Sequence, residues 1–292
     1  MKKNPVSFNA DSEKLEKLKG KIILIKYGGN AMTNPQTKED VVNDLVYLVE
    51  KGVRPVVVHG GGIVIKKLLE EVGIESEFVE GHRTTDARAM EYVEMALSGN
   101  VNSELVKRLN SAGIPSVGIS GKDANTVIAT KRLHSVTVDG KTENVDLGHV
   151  GNVDRINTGL IKTLLDSGYL PVISPVASGD DLLDYNINAD MFAGHLAGAL
   201  KAEAYVALTN VDGILRDVKD ESSLINTIDE NRMKAMIGTE IQGGMIPKIE
   251  SCLIALENGA REAHIINGTK KHTILKQLLG TEMPGTVITK NE

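Results

Sequence analysis

Lys21-Ile-Ile-Leu-Ile-Lys26 is a short aliphatic run that stops at Gly28-Gly29, and Pro55-Val-Val-Val58 runs in the same way into Gly60-Gly61-Gly62. Between them Val41, Val42, Leu45, Val46 and Val49 recur at helical spacing and end near Gly52. Beyond them Ile65, Leu68, Leu69 and Val72 mark another helix. A strand that is apolar on both faces needs cover on both faces. Alternation of such strands with amphipathic helices therefore predicts an α/β fold with a parallel sheet, helices lying on each side of it.

Working outward, the pattern continues to the end of the chain. Helices are expected near 101–112, 157–167, 189–200, 245–258 and 273–279, and strands near 115–119, 170–174, 204–208 and 263–266. A short helix is expected over 11–18. Alternating residues on either side of Asp139-Gly140 predict a β-hairpin over 136–143 that stands off the sheet. With no internal repeat and no Pro/Ser-rich linker, the chain reads as one continuous domain with two lobes.

Composition narrows the function. The 292 residues are 41% hydrophobic, enough for a sizeable core and too apolar for a disordered chain. Three Phe, six Tyr and no Trp leave little for a platform that stacks single-stranded nucleic acid. A net charge of −6 argues against general binding to phosphate backbones or anionic membranes, so neither nucleic acid nor membrane is an expected partner. It leaves room for a local basic pocket. Cys252 is the only cysteine, so no internal disulfide or cysteine-based zinc site is available. It recurs with Met245, Ile249 and Leu256 at helical spacing, the pattern of a buried apolar thiol. Lys2 and Lys3 are followed by no apolar signal-peptide core, and no run approaches the roughly 18 apolar residues of a membrane span, so a cytoplasmic location is expected.

Ligands of open parallel sheets bind beyond the carboxyl ends of the strands, where helix N-termini present amide hydrogens. Gly28-Gly29 and Gly60-Gly61-Gly62 fall there, and two such turns on neighbouring strands favour an anion site. The sequence lacks a Gly-x-x-x-x-Gly-Lys-Ser/Thr loop, a Gly-x-Gly-x-x-Gly turn after the first strand, a Gly-x-Ser-x-Gly elbow and zinc-type histidine pairing. Lys26 ends an apolar strand just before a glycine turn. It either snorkels to solvent or meets an anion. Lys248 follows Gly243-Gly244 and Pro247 in the first turn of a helix, where the dipole disfavours a cation unless an anion neutralises it; a solvated lysine is the plainer alternative. Arg83, in Gly81-His-Arg-Thr-Thr-Asp86, is either a carboxylate fork or an ordinary surface arginine. His59 and His82 flank these loops and are read as fixing backbone carbonyls rather than acting as bases. Asn186, Asn188 and Asp190 open the next helix, where Asn and Asp also serve as caps.

Together these pieces resemble the amino acid kinase family, from about Lys21 to Lys290. The resemblance rests on Lys26-Tyr-Gly-Gly-Asn-Ala-Met32, Val57-Val-His-Gly-Gly-Gly62, Gly81-His-Arg83 and Gly148-His-Val-Gly151. It continues through Asn186-Ile-Asn-Ala-Asp190, Leu208-Thr-Asn-Val-Asp-Gly213 and Gly243-Gly-Met-Ile-Pro-Lys248. It is nearest to members that phosphorylate N-acetyl-L-glutamate, and it implies an enzyme with a three-layer α/β/α sandwich around a mainly parallel open sheet. The implied reaction is ATP-dependent phosphorylation of the γ-carboxylate, the second step of arginine biosynthesis. The implied organisation is an N-terminal extension over 1–20 and a kinase domain over 21–292. Within that domain an amino-acid lobe would span about 21–180 and a nucleotide lobe about 181–292.

By the same resemblance Lys26 and Lys248 would contact the transferring phosphoryl group and Asp190 would orient both lysines. Gly28, Gly29, Gly61 and Gly62 would supply amide donors. Arg83 would pair with the α-carboxylate, Asn186 and Asn188 would hold the substrate, and the loop Thr209, Asn210, Val211, Asp212 and Gly213 would lie near the nucleotide. Magnesium would ride on the ATP phosphates, with no protein-held metal. Sister enzymes act on aspartate, glutamate, carbamate or nucleoside monophosphates; Arg83 and the two asparagines fit the acetylated substrate better. The presence of both lysines argues for a working enzyme rather than a silent sensor. The extension over 1–20 implies a homohexamer, a trimer of dimers, inhibited by L-arginine. Two departures stand in the last helix: Gln277 where an acidic residue is usual and Leu279 where an aromatic is common.

Overall fold

A computed structural model describes residues 7–79, 82–138, 141–217, 220–241 and 243–291. In chain order its strands are β1 (Ile22–Tyr27), β2 (Arg54–His59), β3 (Phe78–Val79), β4 (His82–Arg83), β5 (Ser116–Ser120), β6 (Val127–Val138) and β7 (Lys141–Ile156). They continue with β8 (Leu170–Ser174), β9 (Val176–Gly179), β10 (Asp184–Ile187), β11 (Ala204–Thr209), β12 (Thr227–Asp229), β13 (Glu262–Asn267) and β14 (Thr286–Thr289). The α-helices are α1 (Ser12–Leu18), α2 (Pro35–Glu50), α3 (Gly62–Glu71), α4 (Ala87–Glu94) and α5 (Ser103–Ser111). They are followed by α6 (Gly159–Asp166), α7 (Ala189–Ala199), α8 (Glu230–Met236), α9 (Ile246–Glu257) and α10 (Thr273–Leu279).

The main sheet has eight strands in the order β12-β14-β13-β11-β1-β2-β8-β5. From β13 to β5 all neighbours are parallel; β14 runs against β13 and carries β12 with it. The strands contributed by the chain up to Ser174 form one half of this sheet and those from Ala204 onward the other, with β1 and β11 meeting at the seam.

Period-two alternation divides each central strand between two cores. Leu24, Val56, Val58 and Tyr205 face one side, where Phe192 and Leu196 of α7 and Ile249, Cys252 and Leu256 of α9 pack. Ile23, Ile25, Val57 and Val206 face the other, against Leu45 and Leu48 of α2, Leu105 and Leu109 of α5, and Ile274 and Leu278 of α10. Helix, sheet and helix thus make three layers. Cys252 is fully buried, and burial pushes its thiol pKa up, as expected of an inert core thiol.

The hairpin differs from expectation in extent. It is not a short excursion over 136–143: β6 and β7 pair from Val138 opposite Lys141 back to Val127 opposite Ile156. With β9 and β10 they close into a four-stranded barrel beside the main sheet. Its turn, Asp139-Gly140, lies outside the described residues. The helix expected over 101–112 also differs, because a π-helix, Met95–Asn102, precedes α5 and carries the chain directly out of α4. Among the described residues no helix is long and apolar enough to cross a membrane.

Candidate active site

Because the central strands are parallel, their carboxyl ends share one edge. Lys26 lies opposite Val58 of β2 and Ala207 of β11, so the turns after β1, β2 and β11 leave side by side. The first two are stitched together by the Gly60 amide, which donates to the Tyr27 carbonyl at 2.7 Å. At Gly29 the backbone has φ +62°, a conformation that costs an L side chain about 1–2 kcal/mol. At Gly28 a Cβ would stand 3.3 Å from Lys26 Nζ, so glycine keeps the approach to that ammonium open.

Lys26 is buried and does not snorkel: its Nζ lies 2.9 Å from Asp190 Oδ1. The contact is an ion pair without an aligned hydrogen bond, since Asp190 Oδ1 has no hydrogen-bond partner in the structure. Asp190 is itself buried, in the first turn of α7, where the helix dipole favours its charge. Asn188 caps that helix, its Oδ1 accepting from the Asp190 and Met191 amides at 2.9 and 3.2 Å. From the opposite side comes Lys248, in the first turn of α9 behind Pro247, with Nζ 4.0 Å from Asp190 Oδ2 and donating to the Gly244 carbonyl at 3.2 Å. One carboxylate therefore serves two ammonium groups. The surplus positive charge faces a cleft of about 280 Å³, which Lys26 and Asp190 line. Such a surplus in a buried site calls for an anionic ligand.

Gly28, Gly29, Gly61, Gly62, Arg83, Asn186 and Asn188 line the same cleft. Gly61 is held against the π-helix: a Cβ there would come within 2.6 Å of Leu97 Cδ2. Arg83, on the β3–β4 hairpin, donates to Ser76 Oγ and lays its guanidinium 4.7 Å from the Phe78 ring centroid. Gly81 and the His82 side chain lie outside the described residues.

Thr209, Asn210, Val211, Asp212 and Gly213 do not line that cleft. They leave β11 at the same sheet edge, and Asp212 accepts hydrogen bonds from Asn267 Nδ2 at 2.9 Å and Lys270 Nζ at 2.6 Å, which ties this loop to the turn after β13. Burial opposes ionisation of Asp212, but these two partners outweigh it and hold its pKa below the usual carboxylate value.

His59 is fully buried at the end of β2. Its Nδ1 meets the Gly60 carbonyl at 2.9 Å and its Nε2 the Asn102 amide nitrogen at 3.1 Å, an arrangement that suits the neutral ring protonated at Nδ1. Burial brings its pKa down to about 4. It fixes a carbonyl, as the sequence suggested, and faces no reacting group.

Arg132, Phe78, Leu97 and Pro175 also line the cleft, and sequence reasoning did not single them out; Val150 and Gly151, from the Gly148-His-Val-Gly151 stretch, line it too. Arg132 sits on β6, in the part of the strand that lies before the hairpin expected over 136–143. Among the described residues no three His, Cys, Asp or Glu side chains cluster as a metal site.

The sequence pattern of the amino acid kinase family matches residues 21–267, and the chain belongs to that family. It is 45% identical to an acetylglutamate kinase of Thermoanaerobacter pseudethanolicus over 94% of this chain and 90% of that protein. An acetylglutamate kinase of Caldanaerobacter subterraneus subsp. tengcongensis is 46% identical over the same shares. Among solved structures, N-acetylglutamate synthase of Neisseria gonorrhoeae, determined with coenzyme A and N-acetyl-glutamate, superimposes with a TM-score of 0.81 at 22% identity. That match covers 96% of this chain and 62% of the longer synthase, and it shows a shared fold.

Proposed function

We propose that this protein transfers the γ-phosphoryl group of ATP to the γ-carboxylate of N-acetyl-L-glutamate, releasing ADP and N-acetyl-L-glutamyl 5-phosphate in arginine biosynthesis. The observation that carries the reading is Asp190 set between Lys26 and Lys248 at the floor of a glycine-walled cleft. Relatives at 45 and 46% identity that carry this activity in their names support the choice of substrate.

The chemistry needs little from the protein beyond placement. A γ-carboxylate has a pKa of about 4.3, so it is already the nucleophile at neutral pH and no side chain has to remove a proton. One carboxylate oxygen bonds to the γ-phosphorus as the bond to the bridging oxygen breaks, and the electron pair leaves with ADP. Work remains in bringing two anions together and in neutralising charge on the moving group. Lys26 and Lys248 do this from two sides, and Asp190 holds them in position. Gly28, Gly29, Gly61 and Gly62 offer backbone amides. Arg83 forks the α-carboxylate while Asn186 and the NH2 of Asn188 hold the acetamide end; Asn188 Oδ1 is already spent on its cap. Thr209 to Gly213 border the nucleotide, and magnesium enters on the ATP phosphates as part of that substrate. The division of the sheet at the β1–β11 seam supports an amino-acid lobe over about 21–180 and a nucleotide lobe over 181–292.

Trapping with hydroxylamine tests this. Enzyme, magnesium, ATP and N-acetyl-L-glutamate should give the coloured hydroxamate, and L-glutamate in its place should not. A folded, ATP-binding sample that yields no hydroxamate above background overturns the reading.

We also assign the segment before β1 to assembly, as part of a hexamer of three dimers with L-arginine as inhibitor. In support, the Asp11 amide donates to the Leu279 carbonyl at 2.8 Å and Lys14 Nζ to the Gly280 carbonyl at 2.7 Å, which docks α1 on the end of α10. Gln277 is buried there, meeting His264 Nδ1 at 3.2 Å and accepting from the Gly285 amide at 2.9 Å, so an effector would be held by other groups at this junction. Sedimentation as a dimer overturns the assembly, and activity unchanged by millimolar arginine overturns the regulation.

A further inference from the structure

Lys122 lies outside the cleft, in the turn that leaves β5, and the mechanism above does not use it. Its Nζ is 2.9 Å from Glu94 Oε1 and 2.9 Å from Asp184 Oδ2, with each side chain about one-third exposed. The other oxygen of Asp184 accepts from Ser178 Oγ at 2.6 Å, and its main-chain carbonyl meets His149 Nδ1 at 2.8 Å. Burial opposes charge on both Lys122 and Asp184, but the hydrogen bonds within the cluster outweigh it, so the lysine pKa is raised and the aspartate pKa lowered. Lys122 and Asp184 are therefore both charged at neutral pH.

What makes the cluster more than a surface ion pair is where its members lead. Glu94 is the last residue of α4, and the π-helix that follows places Leu97 under Gly61. Asp184 begins β10, a strand of four residues, and Asn186 lies two residues on, on the same face. Leu97 and Asn186 both line the cleft. We infer that Lys122 is a positioning residue that sets the width of the amino-acid end of the cleft, by holding Glu94 and Asp184 together as a cationic spacer.

The inference rests on the proposed reaction. Without Lys122, two carboxylates that share one ammonium face each other unscreened, and like charges at that distance repel. β10 is short and moves with Asp184, so Asn186 retreats from its substrate while the lysine pair around Asp190 is untouched. Displacements of this order cost large factors in positioning.

The test is steady-state kinetics on Lys122→Met, with KM measured separately for the two substrates and melting recorded for each variant. The expected result is a KM for N-acetyl-L-glutamate raised about 10-fold or more, with the KM for ATP within about 2-fold of wild type. Adding Glu94→Gln to Lys122→Met removes the repulsion and should recover most of the loss, which a general weakening of the fold would not permit. Lys122→Arg, which keeps the charge, should stay within about 3-fold of wild type and carries the test if Lys122→Met does not fold. An unchanged KM for N-acetyl-L-glutamate, an equal rise for both substrates, or an Arg variant as impaired as Met overturns the inference. Wild-type enzyme that makes no acyl phosphate overturns the reaction instead, so the two failures are distinct.

Discussion

The two lysines that flank Asp190 are built into the fold differently. Lys26 belongs to a strand paired on both sides, is buried, and sits 2.9 Å from Asp190. Lys248 rides on the first turn of α9 behind a glycine pair, at 4.0 Å from the same carboxylate. The loop after β11 is held to the turn after β13 by Asp212, Asn267 and Lys270. One cation is fixed by the sheet and the other by a helix end. The difference teaches that one buried carboxylate can be shared between a cation fixed by a sheet and a cation carried on a helix end.

That contrast can be broken by mutation. Lys26→Met removes the sheet-fixed cation and leaves Asp190 buried beside one distant partner. It should lower kcat by about 1,000-fold, the upper range for losing one electrostatic contact to a transition state. Lys248→Ala should cost at least about 100-fold in kcat, less than the first because Lys26 still faces the phosphoryl group. Turnover numbers at saturating substrate check both. A Lys248 variant of near-normal kcat removes that lysine from the mechanism, and a reversed order contradicts the asymmetry.

A smaller effect comes from His59, buried at the end of β2 beside the glycine turn. Its folded-state pKa of about 4 lies below the unfolded value of 6.5. The unfolded chain therefore binds a proton first as pH falls, and stability present above pH 6.5 is lost progressively down to about pH 4. By pH 5 the loss from this group is about 2 kcal/mol. Denaturant melts between pH 7 and 5 should show this slope in the wild type and a shallower one in His59→Gln.

The same contrast governs what could be read from the chain. β1, β2, β8 and β11 were legible because a strand buried on both faces is written as a mostly apolar run, and β13 was legible from Ala263 to Ile266 although His264 interrupts it. The glycine turns after β1 and β2 followed from the same reading. The barrel was only partly legible. β9 and β10 are four residues each, pair with one another across a short turn and owe the rest of their pairing to β6 and β7, distant in sequence; β14 is an equally short strand that turns antiparallel at β13. The ion pairs around Asp190 were expected from the resemblance alone and not from any spacing. Lys26, Asp190 and Lys248 each carry a local clue, but no spacing reports that three elements bring them to one point. Arg132 and Lys122 had no local clue at all, since their roles depend on what the barrel encloses.

Phosphoryl transfer by placed charge, with no side chain acting as base, fixes how the rate responds to pH. The direct measurement is transfer of labelled γ-phosphate from ATP to N-acetyl-L-glutamate, at saturating substrates, between pH 6 and 8. The substrate carboxylate stays ionised across that range and no side chain has to give up or take a proton, so kcat should be flat. A kcat that rises tenfold per pH unit through a pKa inside the window would mean a group on the enzyme must lose a proton first, and would contradict it.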